Sequence, residues 1–264
     1  MPKNITSVKY YSCGYCTNNL GIVFRGHDKE KRDFGAGVFL VKHRKHGYIL
    51  FDTGYDENIT KAGVVGRLYG LINPTTVSKE DTIVEQLKRD GIKTNEIKTI
   101  ILSHLHPDHI GGLKHFVKSK IILSEEAMKS SRHASPLALI MKRYLPDDFE
   151  TRAQVVTAQE LESKDYDCLS GYDLFGDDSV VLTKLDGHAR GQIGALIDGK
   201  VLLAADACWG TDLIDWTRKM KFPATMIQHD VKTYKDNMKL LNDIQKKGIR
   251  LCFSHDKYAE DKIL

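Results

Sequence analysis

Four potential metal ligands lie within six residues of this chain, in the segment Ser-His-Leu-His-Pro-Asp-His-Ile-Gly-Gly at residues 103–112. They are His104, His106, Asp108 and His109. Imidazole and carboxylate groups are ligands that zinc, iron and manganese bind in proteins. The segment directly follows the apolar run at residues 99–102, which is typical of a strand. These residue types therefore predict a metal site at the end of a strand.

The spacing of the four residues divides them between two metal-binding positions. In extended chain, side chains at i and i+2 point the same way, so His104 and His106 can share one metal. Pro107 has a fixed φ and biases His106 away from helix. We expect Asp108 and His109 to open a helix and to turn toward a second metal.

The second half of the chain supplies three further candidate ligands, each beside the end of a predicted strand. His188 follows the strand at residues 180–185, Asp206 ends the run at 201–205, and His255 follows the strand at 250–253. Loops at strand ends often carry functional residues. Each residue alone also fits a turn, a helix cap or a capped terminus. Together, and after the four-ligand motif, they predict ligation, with the Asp206 carboxylate placed to bridge two metals.

The periodicity of apolar residues predicts an α/β chain in which strands dominate each half. Predicted strands of the first half lie at residues 7–11, 21–25, 37–42, 47–52, 99–102 and 121–123, and those of the second at 180–185, 192–197, 201–205 and 250–253. Predicted helices run from a capping box at Ser78 and Asp81 to about 90, from 125, from an N-cap at Ser135 to about 144, and over 231–246. This pattern predicts two sheets packed face to face with helices outside, in one domain (residues 1–264) built from two similar halves.

Bulk composition excludes several classes of protein. The chain has 264 residues, of which 41% are hydrophobic and 28% charged, as in globular domains. No apolar run approaches the ~20 residues that cross a bilayer, so we expect no membrane partner. The first residues lack an apolar signal segment, which favours a cytoplasmic location. The net charge is only +4, and no basic stripe with interleaved aromatic residues indicates a nucleic-acid partner.

The five cysteines are scattered and odd in number, which argues against a disulfide framework and favours a reducing compartment. Cys13 and Cys16 form a lone C-x-x-C, which fits a redox pair or half of a zinc site. Its glycine-rich, strand-like surroundings and the lack of a second C-x-x-C favour ordinary thiols near a loop. Nothing in the sequence assigns the two cysteines a role.

Taken as a set, these residues resemble the metallo-β-lactamase superfamily of hydrolases. The resemblance runs from about residue 38 to the C-terminus and includes Asp52-Thr53-Gly54 as well as the seven candidate ligands. It implies a four-layer αββα sandwich with the metals at the rim between the two halves. It further implies that Asp52 orients a ligand from outside the metal site. The implied ligands are His104, His106 and His188 for one metal, Asp108, His109 and His255 for the other, and Asp206 between them.

Within the superfamily, the chain is most similar to the N-acyl homoserine lactonases. The length, the Ser-His-Leu-His-x-Asp-His-x-Gly-Gly form of the motif, Asp206-Ala207 and the closing His255-Asp256 carry this similarity. Those lactonases have a tyrosine three residues after the bridging aspartate, where this chain has Trp209. An indole N–H can donate a hydrogen bond but cannot act as an acid. We therefore expect Trp209 to contact the substrate in a pocket that differs from theirs.

The predicted function is hydrolysis of an ester or lactone, such as an N-acyl homoserine lactone or a related small metabolite. Two divalent ions are expected, with zinc first and iron or manganese as alternatives. A hydroxide that bridges them would attack the carbonyl, and Asp108 would accept and return a proton. The apolar segments 62–71 and 137–145 fit either the substrate pocket wall or ordinary core helices.

Two alternative functions remain open at this point. The same metals and fold serve thioesterases of the glyoxalase II type and phosphodiesterases, because the pocket lining selects the substrate. The chain could also be a non-catalytic, metal-binding regulatory module. Such proteins usually lose ligands, whereas all seven positions are filled here.

Overall fold

The computed structural model describes residues 4–61, 63–133, 138–167, 169–258 and 262–264, apart from the side chains of Val64, Val65 and Leu68. Among these residues, one sheet contains seven strands. Neighbouring strands are parallel from β3 through β5 and β6 to β7, and the other neighbouring pairs are antiparallel. In order across the sheet they are β4 (Thr75–Thr76), β1 (Ile5–Asn19), β2 (Lys31–His43), β3 (Gly47–Phe51), β5 (Ile97–Ile101), β6 (Lys120–Ser124) and β7 (Ala153–Val156).

A second sheet, of six strands in the described ranges, comes from the second half of the chain. Only its edge pair, β12 and β13, is parallel. A turn at Asp198-Gly199 joins β11 to β12 with positive φ at both residues, and the Lys200 N–H closes it by donating to the Ile197 carbonyl at 2.9 Å. In order across the sheet the strands are β13 (Arg250–Phe253), β12 (Val201–Ala205), β11 (Ile193–Ile197), β10 (Val180–Lys184), β9 (Leu169–Asp173) and β8 (Lys164–Tyr166).

The α-helices are mostly short. The longest, α9, begins where the Asp230 carboxylate accepts hydrogen bonds from the N–H groups of Lys232 and Thr233. None of the helices in the described ranges has the length and apolar character to cross a membrane. The helices are α1 (Leu20–Val23), α2 (Gly63–Ile72), α3 (Ile83–Arg89), α4 (Pro107–Ile110), α5 (Glu125–His133), α6 (Phe149–Arg152), α7 (Ala158–Leu161), α8 (Ile214–Thr217) and α9 (Val231–Lys246).

The hydrophobic core consists of three clusters of buried side chains. Between the sheets, Phe51 and Ile101 of the first pack in one cluster with Leu182 and Leu203 of the second. A second cluster covers the outer face of the first sheet and includes residues of α3 and α5. A third covers the outer face of the second sheet and includes residues of α8 and α9. The four-layer αββα arrangement predicted from the sequence is confirmed.

The predicted strand at residues 21–25 is wrong. The chain forms α1 there, and the Asn19 side chain caps it by accepting from the Gly21 N–H. Leu20 and Val23 are buried while Ile22 is 56% exposed, which is a helical spacing of buried side chains. A short apolar run fits either element, and packing decided for the helix.

The predicted helix from Ser135 to about residue 144 is also wrong where it can be compared. Ser135, with residues 134–137, lies outside the described residues. Beyond them Leu139 has a φ of 53°, Met141 is extended, and a 3-10 turn forms at Lys142–Tyr144. Of the apolar side chains behind the helical pattern, Ile140 lines a cavity while Met141 packs in the core, so tertiary packing overrides the local pattern.

Candidate metal centre

The four-ligand motif adopts the backbone that its sequence predicts. β5 ends at Ile101, His106 is extended, and Pro107 is the first residue of α4. Asp108 and His109 therefore lie in the first turn of a helix that leaves the strand end. Gly111 packs so closely that a Cβ atom there would lie 2.3 Å from the Asp56 backbone nitrogen. Residue 111 therefore has no room for a side chain.

One group of candidate ligands consists of three buried imidazoles. The His106 Nδ1 atom lies 3.0 Å from the Nε2 atom of His104 and 3.0 Å from that of His188. Burial, followed by neighbouring histidines, lowers the pKa of His106 to about 3. Burial likewise lowers the pKa of His104 and His188. The three rings are therefore neutral, the form that binds metal.

The second group combines carboxylates with imidazoles. Asp108, His109, Asp206 and His255 are buried, and one ligand atom of each lies within 4.8 Å of those of the others. The His255 Nε2 atom lies 2.9 Å from Asp206 Oδ2, and His109 Nε2 lies 3.4 Å from Asp206 Oδ1. Burial would raise the pKa of Asp108, but His109 and His255 outweigh it and hold that pKa below its usual value.

Asp206 joins the two groups. Its Oδ2 atom lies 3.3 Å from His188 Nε2, while both of its oxygens face histidines of the second group. The preceding residue, Ala205, has a φ of 47° where the pairing of β12 with β13 shifts register. This unusual backbone ends the strand and turns Asp206 into the site, in the way strained residues concentrate at functional sites.

Hydrogen bonds on the far side of the rings fix the protonation of four histidines. Asp52 accepts from His109 Nδ1 at 2.8 Å, and the Gly35 carbonyl accepts from His255 Nδ1 at 2.6 Å. Gln228 Oε1 accepts from His188 Nδ1 at 2.8 Å. Each Nδ1 donates outward, so Nε2 is the ring nitrogen that faces the site and would bind a metal.

Ser103 completes this set for His104. Its hydroxyl donates to Asp52 Oδ2 at 2.8 Å, because a carboxylate only accepts. The hydroxyl therefore accepts from His104 Nδ1, which lies 2.9 Å away. Asp52 thus supports both groups, through His109 directly and through His104 by way of Ser103. Sequence reasoning placed Asp52 here but missed Ser103 and Gln228; Ser103 adjoins the motif, whereas nothing in the local sequence marks Gln228.

The donor set fits divalent cations. Asp108 and Asp206 are buried, and within the described residues their ion-pair partners are histidines rather than Lys or Arg. His109 Nε2 and Asp206 Oδ1 are buried without a hydrogen-bond partner. Buried carboxylates and unpartnered lone pairs are costly unless a cation binds them.

A third group of potential ligands, His43, His46 and Asp177, does not share this chemistry. The His43 Nδ1 atom accepts from the backbone N–H groups of Lys45 and His46. Its Nε2 therefore carries the proton and faces Ser179 and Asp177 as a donor. Backbone N–H groups occupy the one lone pair of this ring, so the group is a hydrogen-bonded cluster rather than a metal site.

A pocket of about 50 Å³ opens beside the two ligand groups. Trp209 lies in its wall, 8% exposed, with its ring 6.2 Å from His188 and 6.0 Å from Phe34. The Trp209 Nε1–H is buried without a partner among the described residues. Tyr69 and Leu139, from the two apolar segments considered in the sequence, also line this pocket.

The C-x-x-C pair, expected as ordinary thiols near a loop, lies within β1. Cys13 packs in the cluster outside the first sheet, while Cys16 packs in the cluster of the second sheet and lines the pocket. Because the two thiols belong to different clusters, they do not resemble a redox pair. Burial raises the pKa of Cys16 to about 12.

A family model described as the metallo-β-lactamase superfamily matches residues 33–244. The chain belongs to this superfamily. The resemblance inferred from the sequence is confirmed. The fold is similar to that of a solved N-acyl homoserine lactone hydrolase that has the product N-hexanoyl-L-homoserine bound at its catalytic metal centre. That structure has a TM-score of 0.73 and 21% identity, and the alignment covers 96% of this chain and 94% of the other.

Sequence relatives agree with the predicted class of metal-dependent hydrolase. A protein of Mycobacterium tuberculosis named as a probable metallo-hydrolase is 25% identical over 259 residues, which cover 94% of this chain and 76% of the relative. An N-acyl homoserine lactonase of a Bacillus species is 29% identical over 187 residues, or 68% of this chain and 66% of the relative.

Proposed function

We propose that this protein is a dinuclear metal-dependent hydrolase that opens a small-molecule ester or lactone, such as an N-acyl homoserine lactone or a related metabolite. The observation that carries the proposal is the convergence of seven side chains in two groups that share Asp206. Superfamily membership and the lactonases among the relatives support it.

The proposed ligands follow the two groups. We propose zinc as the metal, with iron or manganese as alternatives, because mixed His and Asp donors accept all three. His104, His106 and His188 would hold one ion, Asp108, His109 and His255 the other, and Asp206 both.

Bound divalent ions would polarise the carbonyl and lower the pKa of water in the site. The chain's own groups complete the chemistry. Asp108 is ionised and lies at the edge of the pocket, so it is the proposed group that accepts and returns a proton. The unpartnered Trp209 N–H is the proposed donor to a substrate oxygen. Cys16 is held as a neutral thiol by its raised pKa, so we assign it no nucleophilic role.

Replacing His106 or Asp206 with Ala should remove both metal and hydrolysis, because each substitution deletes a ligand from the buried cluster. Elemental analysis of the purified variants, read beside hydrolysis of a long-chain N-acyl homoserine lactone, checks this. His115→Ala is the matched control, since His115 is exposed and adjoins the motif without joining the cluster. Full metal content and activity in either cluster variant would contradict the assignment.

A substrate panel separates the proposed function from its alternatives. Near two metals per chain with lactone or ester opening supports the proposal. Two metals with cleavage of thioesters or phosphodiesters alone would instead favour the glyoxalase II-like or phosphodiesterase alternative. Two metals with no turnover of any class would favour a non-catalytic regulatory module.

A further inference from the structure

The Trp209 side chain is oriented by its surroundings rather than by a hydrogen bond of its own. Its N–H group is buried and has no hydrogen-bond partner in the described part of the chain. Its ring packs edge-on against Phe34 and His188, at centroid distances of 6.0 and 6.2 Å. Because no hydrogen bond fixes the indole, its direction depends on these ring contacts and on the backbone that carries residue 209.

Three charged side chains converge on the backbone directly after Trp209. A Cβ atom at Gly210 would lie 2.6 Å from the Arg32 Nη2 atom. The same Cβ atom would lie 3.0 Å from Oδ1 of Asp212 and 3.0 Å from Oδ1 of Asp256. The guanidinium and both carboxylates therefore lie against the main chain at residue 210, where only a glycine leaves room for them.

Arg32 binds this segment through its guanidinium. Its Nη1 donates to both carboxylate oxygens of Asp212, at 2.6 and 2.9 Å, and its Nη2 lies 3.8 Å from Asp256 Oδ1. The Arg32 side chain is 18% exposed and that of Asp212 is 67% exposed. An ion pair with so exposed a partner contributes little to the free energy of unfolding. We therefore expect its effect to be local, on the position of residues 209–212.

Asp256 attaches the same segment to the chain beyond β13. Its carboxylate accepts from the Thr211 N–H at 3.0 Å and from the Thr211 hydroxyl at 2.6 Å. Asp256 directly follows His255, whose Nδ1 donates to the Gly35 carbonyl of β2. The segment that carries Trp209 is thus tied to the segment that carries a candidate ligand.

Arg32 also contacts the ring that packs against Trp209. The guanidinium carbon lies 5.4 Å from the centroid of the Phe34 ring. Phe34 in turn packs edge-on against Trp209 and, at 5.8 Å, against His255. Residues 32 and 34 are two apart in β2 and lie on one face of the strand. This face therefore reaches the Trp209 segment twice, once at its backbone and once at its ring.

We propose that Arg32 is a positioning residue that holds the Trp209 indole in the pocket wall. It acts by fixing the backbone of residues 210–212 and by packing against Phe34. The use of the indole N–H as a donor to substrate rests on the proposed function, whereas the placement of the indole by Arg32 does not.

Acrylamide quenching of Trp209 fluorescence tests the placement without any turnover. The chain has two tryptophans, so Trp216→Phe leaves Trp209 as the reporter. In that background Arg32→Met should raise the bimolecular quenching constant by about twofold or more, because a loosened segment opens the indole to solvent. Arg132→Met is the matched control, since Arg132 also pairs with a carboxylate, Glu150 at 2.6 Å, but on α5. No rise in Arg32→Met, or an equal rise in the control, would overturn the proposal.

A double-mutant cycle tests whether this placement matters for hydrolysis. Arg32→Met should lower kcat/KM by about two- to fivefold when Trp209 is present, and by less than about 1.5-fold in a Trp209→Phe background. The second loss is smaller because the guanidinium acts through the indole. Metal content should not change, because no candidate ligand is altered. Equal losses in the two backgrounds would show that Arg32 does not act through Trp209.

The two measurements separate this inference from the proposed function. Raised quenching in a protein that hydrolyses no ester or lactone would support the placement by Arg32 and remove the proposed function. Unaltered quenching in a protein that does hydrolyse them would remove the placement and leave the proposed function standing.

Discussion

At the scale of single residues, hydrogen bonds on the outer side of four imidazoles orient the rings of the site. Because Nδ1 of His104, His109, His188 and His255 donates outward, the Nε2 atoms face inward, where they would bind metal. The sequence could predict the seven converging residues because four of them lie within six positions and the others end strands. It could not predict Gln228, because only the fold brings it to His188 across 40 residues.

Trp209→Phe should lower kcat/KM by about three- to tenfold, because it removes the one donor proposed for a substrate oxygen while an aromatic ring stays at this position. Steady-state kinetics on the best substrate, with metal content measured on the same sample, checks this. Trp216→Phe is the control, since Trp216 packs against His27 and Lys219 rather than in the pocket. Equal effects of the two substitutions would mean that the Trp209 N–H does not contact substrate.

At the scale of elements, the strand ends and one short helix position the site. The predicted limits of β12, α9 and β13 agree with the structure. The repeating pattern of apolar residues in these elements is either long or ends at clear turn and cap residues. The chain around α1 and residues 138–144 was predicted wrongly. In these segments some apolar side chains lie on α1, some pack in the core and some line two cavities. A local sequence pattern does not show which of these surroundings a side chain has.

Gly111→Ala should destabilise the fold by about 1–3 kcal/mol, because the new methyl group would press on backbone atoms of Gly54 and Asp56 that cannot rotate away. Gly111 has a φ of −56°, so the loss would come from crowding alone. Denaturant unfolding measures it. Gly70→Ala is the control, because its nearest neighbour is a Thr60 methyl group at 3.2 Å. Equal stability of the two variants would show that α4 can shift without cost.

At the scale of the whole molecule, we propose that residues 1–264 form one domain. The cluster between the sheets draws on both halves of the chain, so neither half would keep its buried face covered alone. Hydrogen bonds also join the two ends, where the Ile263 N–H donates to the Val8 carbonyl at 2.8 Å. The two halves should therefore unfold together.

Removing metal should lower the midpoint of thermal unfolding by roughly 5–10 °C, because ligands that bind only the folded state stabilise it. Differential scanning calorimetry with and without a chelator measures the shift, and added zinc should restore the midpoint. Asp206→Ala should be insensitive to the chelator. An unchanged midpoint after complete metal removal would contradict a role for the cluster in stability.

The candidate ligands come from distant parts of the chain: His106 and His188, 82 residues apart, face one another at 3.0 Å. Protein synthesis is vectorial, so the His-x-His segment leaves the ribosome well before its later partners exist. A nascent chain would hold an incomplete chelate, and full affinity would arise only when β12 and β13 have been made and docked. Tight metal binding would then be the last step of folding, and it would stabilise a chain whose two sheets have already formed.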